Sequence, residues 1–319
     1  MKKVIGGILA VAMLFCFVPS AVYAATYPAK PITLVVPFSA GGNTDVLVRV
    51  IAAQMAKKLD TNVVVKNSAG GAGTLGSAEV SKSRPDGYTI LASSSSPVVL
   101  QPLMRELPYN KDTWEYVCRA LSQPECLMVS SDSEFKDFQD LIDKVKANPN
   151  KYVYATPGPG SLGHIAFIKL EQLFNLTWRH VPEKGSAEAM KALAGGTSHM
   201  FIDPATPLGR FNVKGVLFFS PQRLPMYPDI PAIGEFSKEP IDFSVWIVFL
   251  APKGTPKEVT DTLAEAVKFA LEQPEVLKIA KESASFPAFL PGEEFKKAFA
   301  DEVAKYKVLI DSDTTLTQQ

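Results

Sequence analysis

The segment Phe38-Ser39-Ala40-Gly41-Gly42-Asn43-Thr44-Asp45 joins a glycine pair to residues that open helices. It follows an apolar run, Leu34-Val35-Val36, closed by Pro37, and precedes Leu47, Ile51, Met55 and Leu59 at helical spacing. Thr44 is the expected N-cap, and Asp45 suits a first helical turn. Glycines let a ligand approach main-chain N–H groups, and the helix dipole favours an anion there. The chemistry on offer is the seating of a carboxylate or phosphate, with no catalytic group beside it. The plain alternative is an ordinary turn in which Asp45 only stabilises its own helix.

A second segment, Gly158-Pro-Gly160-Ser-Leu-Gly163, matches the dinucleotide pattern G-x-G-x-x-G, and Glu183 stands about 20 residues beyond it, where an acid would hold a ribose. It raises an exported nicotinamide-dependent oxidoreductase as the alternative function. Pro159, the lack of such a fingerprint in the first α/β unit, and export itself argue against that, so no cofactor is expected. Ser161 and His164 are neighbours on one helical turn, but the G-x-S-x-G spacing of a hydrolase is absent. His164, His180 and His199 do not have a metal-ligand spacing. No catalytic residue and no metal are expected.

These segments sit in an alternation of strands and helices. Strands are expected at 32–36, 62–65 and 89–92, with helices near 44–59 and 74–82 and a polar run at Ser93–Ser96. A second unit follows, with helices at 135–147, 161–174 and 186–193 and strands at 152–155, 178–181, 200–202 and 215–219. A strand at 243–250 and helices near 256–272, 274–281 and 292–310 complete the chain. Such alternation points to parallel α/β sheets, whose ligands bind beyond the C-terminal strand ends. Two strands are long enough to cross between domains: 117–129, with a possible break at Pro124, and 243–250. Two crossings make two lobes with a hinge and a cleft, an arrangement suited to ligand capture by closure.

The N-terminus reads as a secretory leader, residues 1–24: Lys2 and Lys3, an apolar stretch from Val4 to Val18, and a cleavage site at Val22-Tyr23-Ala24. The stretch is short for a membrane span, and Cys16 lacks the small preceding residues of a lipid anchor. Basic and acidic residues number 33 each, and loss of Lys2 and Lys3 leaves a slight acidic excess. That balance gives no field for nucleic acid or anionic membrane. Of the mature chain's cysteines, Cys118 and Cys126 form either a disulfide or two buried thiols in an oxidising compartment.

Several patterns occur together in a recognisable order: Tyr27-Pro-x-Lys30-Pro31-Ile32, Val35-Val36-Pro37-Phe38-x-x-Gly41-Gly42-x-x-Asp45, Val63-Val64-Val65-x-Asn67 and Gly70-x-x-Gly73-x-x-Gly76. Further along come Pro85-Asp86-Gly87-Tyr88-Thr89, His180-Val181-Pro182-x-Lys184-Gly185-Ser186, Gly195-Gly196, Pro228-Asp229-Ile230-Pro231 and Ala251-Pro252-x-Gly254-Thr255-Pro256. Across the mature chain the sequence resembles the periplasmic receptors of tripartite tricarboxylate transporters, the Bug receptors. The resemblance implies an α/β, two-lobed periplasmic-binding-protein fold of type II-like arrangement, with domain 1 at 25–124 plus 246–319 and domain 2 at 125–245. It implies a monomeric periplasmic receptor that hands a small organic carboxylate to membrane permease subunits, and no enzyme. A receptor that docks on a signalling partner is a further alternative.

Carried over residue by residue, the resemblance places one ligand carboxylate at the loop Phe38, Ser39, Ala40, Gly41, Gly42, Asn43, Thr44 and Asp45. Ser94 and Ser95 correspond to the loop after the third strand. The second lobe would contribute Gly158, Gly160 and Ser161 with His164, the turn at Gly185 and Ser186, and Asp203. His164 could equally be a packed residue and Asp203 a helix cap. Three positions depart from the family: Ser39-Ala40 where many relatives carry a proline, Glu183 where tyrosine is common, and His199 where many carry aspartate. A carboxylate at 183 near the cleft would repel an acidic ligand end or attract an amino group.

Overall fold

Parallel pairing organises the first part of the chain. In order come β1 (Ile32–Val36), α1 (Asn43–Leu59), β2 (Val63–Asn67), α2 (Thr74–Ser81) and β3 (Thr89–Ser94), and β1 lies parallel to both β2 and β3. The computed structural model describes residues 27–205, 207–239 and 241–311, so the expected leader at 1–24 lies outside the described residues. Side chains on β1 alternate between two cores, as strand geometry requires. Ile32, Leu34 and Val36 pack with Leu47, Ile51 and Met55 of α1, while Val35 joins the cluster on the other face.

Two one-turn helices, α3 (Ser96–Val99) and α4 (Gln101–Met104), lead to the 17-residue strand β4 (Trp114–Ser130). Next come α5 (Phe138–Ala147), β5 (Val153–Thr156), α6 (Leu162–Phe174), β6 (Arg179–Pro182), α7 (Ser186–Ala194), β7 (Met200–Pro204) and β8 (Val213–Phe218). The chain ends with β9 (Ser244–Pro252), α8 (Lys257–Leu271), α9 (Pro274–Glu282), β10 (Phe286–Pro291) and α10 (Gly292–Asp311). The strand order is β2-β1-β3-β9-β4-β7-β5-β6, with β8 and β10 also paired to β4.

Strand β4 is the spine of this two-lobed molecule. Trp114–Pro124 pairs antiparallel with β9, and Glu125–Val129 pairs with β7. The exchange of partners falls at Pro124 and Glu125, where the Glu125 N–H donates to Phe243 O at 2.9 Å. The expected break at Pro124 does not occur. At a point where the strand changes neighbours, a missing N–H removes no ladder bond, so the proline is tolerated.

The disulfide alternative for Cys118 and Cys126 is overturned: both thiols are free and buried. They lie on the same strand rather than on neighbouring ones. Eight residues of extended chain separate them by on the order of 25 Å, far beyond the reach of a bridge. Cys118 packs in the first lobe's core and Cys126 in the second's. Strand β10 and the helices α3 and α4 had no counterpart in the expected elements. β10 carries prolines at 287 and 291, which mask its strand pattern and suit an edge.

Candidate functional site

After β1 the chain turns sharply. Gly41 has φ of 81°, a conformation that side-chain-bearing residues rarely adopt, and Gly42 is the N-cap of α1. The expected N-cap, Thr44, is instead the second residue of the helix. No side chain caps Gly42; instead Asp45 turns back on the loop. Its Oδ2 accepts from the Gly41 N–H at 2.8 Å and from Arg49 Nε at 2.9 Å, and its Oδ1 accepts from Asn67 Nδ2 at 2.8 Å. Asn67 also donates to Phe38 O at 3.0 Å, tying the loop to β2. Burial by itself would raise the Asp45 pKa, but the donors from Arg49, Gly41 and Asn67 outweigh it and hold the carboxyl below its usual range.

The opposite wall is built from two more helix starts. Ser161 caps α6, its Oγ accepting the His164 N–H at 3.3 Å, and α7 starts after Gly185. His164 is a packed residue, not a wall: its Nδ1 accepts the Gly160 N–H at 3.0 Å, and its ring stacks on His180 with centroids 4.1 Å apart. Burial lowers its pKa to about 4, so the ring is neutral at ordinary pH and shapes the glycine loop as an acceptor.

Between the lobes lies a cavity of about 30 Å³. Phe38, Gly42, Asn43 and Thr44 line it from the first lobe with Ser94 and Ser96, and Ser161, Leu162, Gly163, Ser186 and Asp203 line it from the second. The N-termini of α1, α6 and α7 therefore converge on one small space. First-turn N–H groups at α1 and α7 have no acceptor within their own helices, α6 keeps the Gly163 N–H beside its two bonded ones at Leu162 and His164, and each terminus carries about half a positive charge. A larger cavity of about 280 Å³ adjoins it, sharing Gly42, Asn43, Ser186 and Asp203 and reaching Ala40, Gly41, Lys191 and Arg210. The lobes touch across the cleft: Gln101 Nε2 donates to Pro159 O at 3.0 Å, and the Leu162 N–H to Ser96 Oγ at 3.4 Å. This is a closed arrangement.

A family profile described as "Tripartite tricarboxylate transporter family receptor" matches residues 47–314. The chain belongs to this family. It is 31% identical to protein BugT of Bordetella pertussis over 296 residues, covering 89% of this chain and 90% of that protein. The periplasmic binding protein BugD superposes with a TM-score of 0.84 at 28% identity, covering 90% of this chain and 98% of BugD. MatC of Rhodopseudomonas palustris, solved with bound malate, superposes with a TM-score of 0.82 at 25% identity, covering 89% of this chain and all of MatC. The chain is thus a solute-binding receptor of a periplasmic family, not an enzyme, and the expected two-lobed α/β fold stands.

In this tripartite tricarboxylate receptor the expected residues fall into two groups. Phe38, Ala40, Gly41, Gly42, Asn43, Thr44, Ser94, Ser161, Ser186 and Asp203 line one or both cavities. Ser39, Asp45, Ser95, Gly158, Gly160, His164 and Gly185 line neither. Ser95 Oγ accepts the Trp246 N–H at 3.2 Å, and a Cβ on Gly185 would stand 3.6 Å from the Ser39 nitrogen. Asp203 is no helix cap; it belongs to β7.

The dinucleotide-like glycines have packing causes. A Cβ at Gly163 would meet Ile202 O at 2.4 Å, and one at Gly158 would meet Ala72 Cβ across the cleft at 3.0 Å. Glu183 is half-buried and lines neither cavity. His199 is a strand-end partner, accepting the Val153 N–H at 3.1 Å. The sequence reading missed Glu125, which is 2% exposed and lines the smaller cavity. Its only signal was an acid inside the apolar run 124–129.

Proposed function

We propose that the chain captures a small organic carboxylate between its lobes and delivers it to the membrane permease of a tripartite tricarboxylate transporter. The observation that carries this is the convergence of three helix N-termini on one interlobe cavity. A carboxylate there gains charge-assisted bonds from main-chain N–H groups at α1, α6 and α7 without a buried arginine. Each is worth about 1.5–3 kcal/mol, so a few suffice for micromolar affinity, about 8 kcal/mol, after ordering costs. The hydroxyls of Ser94 and Ser96 add adjustable donors. Asp45, Ser95, His164, Gly158, Gly160 and Gly185 act as positioning residues in this reading. Malate bound to MatC supports the choice of ligand class.

The change of β4 partners at Glu125 supports lobes at 25–124 with 246–319 and at 125–245. Closure follows because the anion meets both lobes at once only when they approach. The receptor works in the periplasm as a monomer after loss of residues 1–24. A calorimetric screen of mono-, di- and tricarboxylates against the mature protein tests the capture step. Micromolar binding of at least one is expected, and silence across the panel would remove the carboxylate seat. Uptake into vesicles carrying the permease, measured with and without the receptor, tests delivery. Uptake that is unchanged without the receptor would separate capture from transport.

A further inference from the structure

The wall of the smaller cavity is not uniformly positive. Glu125 and Asp203 both line it, with exposures of 2% and 6%. Among the described residues, Glu125 Oε2 and Asp203 Oδ2 each lie buried without a hydrogen-bond partner. Asp203 Oδ1 accepts from Ser186 Oγ at 2.9 Å, so the hydroxyl that begins α7 serves one oxygen and leaves the other open. The two residues are neighbours on paired strands, Cys126 opposite Asp203 and Glu125 opposite Pro204. Among the described residues lining this cavity there is no lysine or arginine to neutralise them.

An unpaired buried carboxyl oxygen costs free energy until a donor reaches it. Two such oxygens on one wall ask for a group with several donors and a positive charge. From this, and from the carboxylate seat proposed above, on which the inference rests, we propose that Glu125 and Asp203 form a cation subsite and that the solute is an amino-acid-type zwitterion. Its carboxylate takes the helix N-termini while its ammonium donates to Glu125 Oε2 and Asp203 Oδ2. A hydroxyl in the ammonium's place offers one donor for two oxygens and no charge. Burial, with the neighbouring Asp203 second, pushes the Glu125 carboxyl well above its usual range, and burial pushes that of Asp203 up to about 8; an arriving ammonium stabilises the ionised forms of both.

The test compares 2-amino acids with the 2-hydroxy acids of the same carbon skeletons, L-aspartate with L-malate and L-alanine with L-lactate among them, by thermal shift and then calorimetry. At least one amino acid is expected to bind tenfold or more tighter than its hydroxy partner. In Glu125→Gln that amino acid should lose tenfold or more while the hydroxy acid changes by less than threefold. Asp203→Asn serves as the second variant should Glu125→Gln fail to fold. Hydroxy acids that bind as well as or better than every amino acid would overturn the cation subsite and leave the carboxylate seat standing. No binding in either series would overturn both.

Discussion

Asp45 and Asp203 are both buried aspartates beside the start of a helix, one in each lobe, at 2% and 6% exposure. Their surroundings differ in the number of donors. Asp45 accepts from Gly41, Arg49 and Asn67, and its pKa is lowered against the pull of burial. Among the described residues Asp203 accepts from Ser186 alone and keeps one oxygen unpaired, and burial carries its pKa up to about 8. The same side chain at similar exposure is therefore a finished structural anion in the first lobe and an unfinished one in the second. Burial does not separate a structural carboxylate from a binding one; the count of unsatisfied oxygens does.

The largest effect is expected on the finished side. Asp45→Ala leaves the Gly41 N–H, Arg49 and Asn67 without their shared acceptor and should cost on the order of 3 kcal/mol, roughly 5–10 °C in melting temperature. Asp203→Ala should shift the melting temperature by less than about 3 °C while lowering ligand affinity. Equal melting losses in the two variants would erase the distinction between the lobes. Gly42→Val tests the seat itself. A Cβ there already stands 3.3 Å from Ser39 O, 3.7 Å from the Ala187 nitrogen and 3.8 Å from Ser186 Cβ, so the branched methyls oppose closure. Calorimetry should report at least a tenfold loss for carboxylates, about 1.4 kcal/mol, and an unchanged affinity would move the seat elsewhere.

A subtler difference should appear with pH. The Asp203 pKa is raised on folding, so its neutral form is favoured in the fold and its stabilising contribution is lost as pH rises from the usual carboxylate range through about 8. The histidines act oppositely: burial lowers His164 to about 4 and His180 to about 3, so their penalty grows only as pH falls below about 6.5. Between pH 6.5 and 8 the unliganded protein should therefore lose melting temperature, and Asp203→Asn should reduce that slope, the raised Glu125 carboxyl acting in the same sense. A wild-type curve that is flat or rising there would break the contrast with Asp45. Smallest of all, Glu183→Tyr should change ligand ranking by less than about twofold, because Glu183 lines neither cavity.

Local pattern carried much of this far. The run Ile32–Val36 and the spaced apolar residues to Leu59 mark β1 and α1 to within a residue, because both burial patterns repeat along the chain. Asp45 was legible as a first-turn acid, but its three donors were not, since Asn67 comes from β2. Ser96 was missed because a serine run looks like a polar loop, whereas Ser96, with Pro97 after it, opens a short helix there. Glu125 was hidden because an acid within an apolar run looks like an exposed strand position, and nothing local tells that the strand changes partners at that residue.

The sequence by itself determined the helix starts with their exposed N–H groups, the alternating α/β order and the family, since all of these follow from residue types a few positions apart. Only the tertiary structure decided that three helix starts share one cavity, that Cys118 and Cys126 lie far apart on one strand, and that Glu125 and Asp203 line the same cavity. Those outcomes depend on which strands pair and how two lobes close, and pairing across long stretches of chain leaves no periodic mark on either partner.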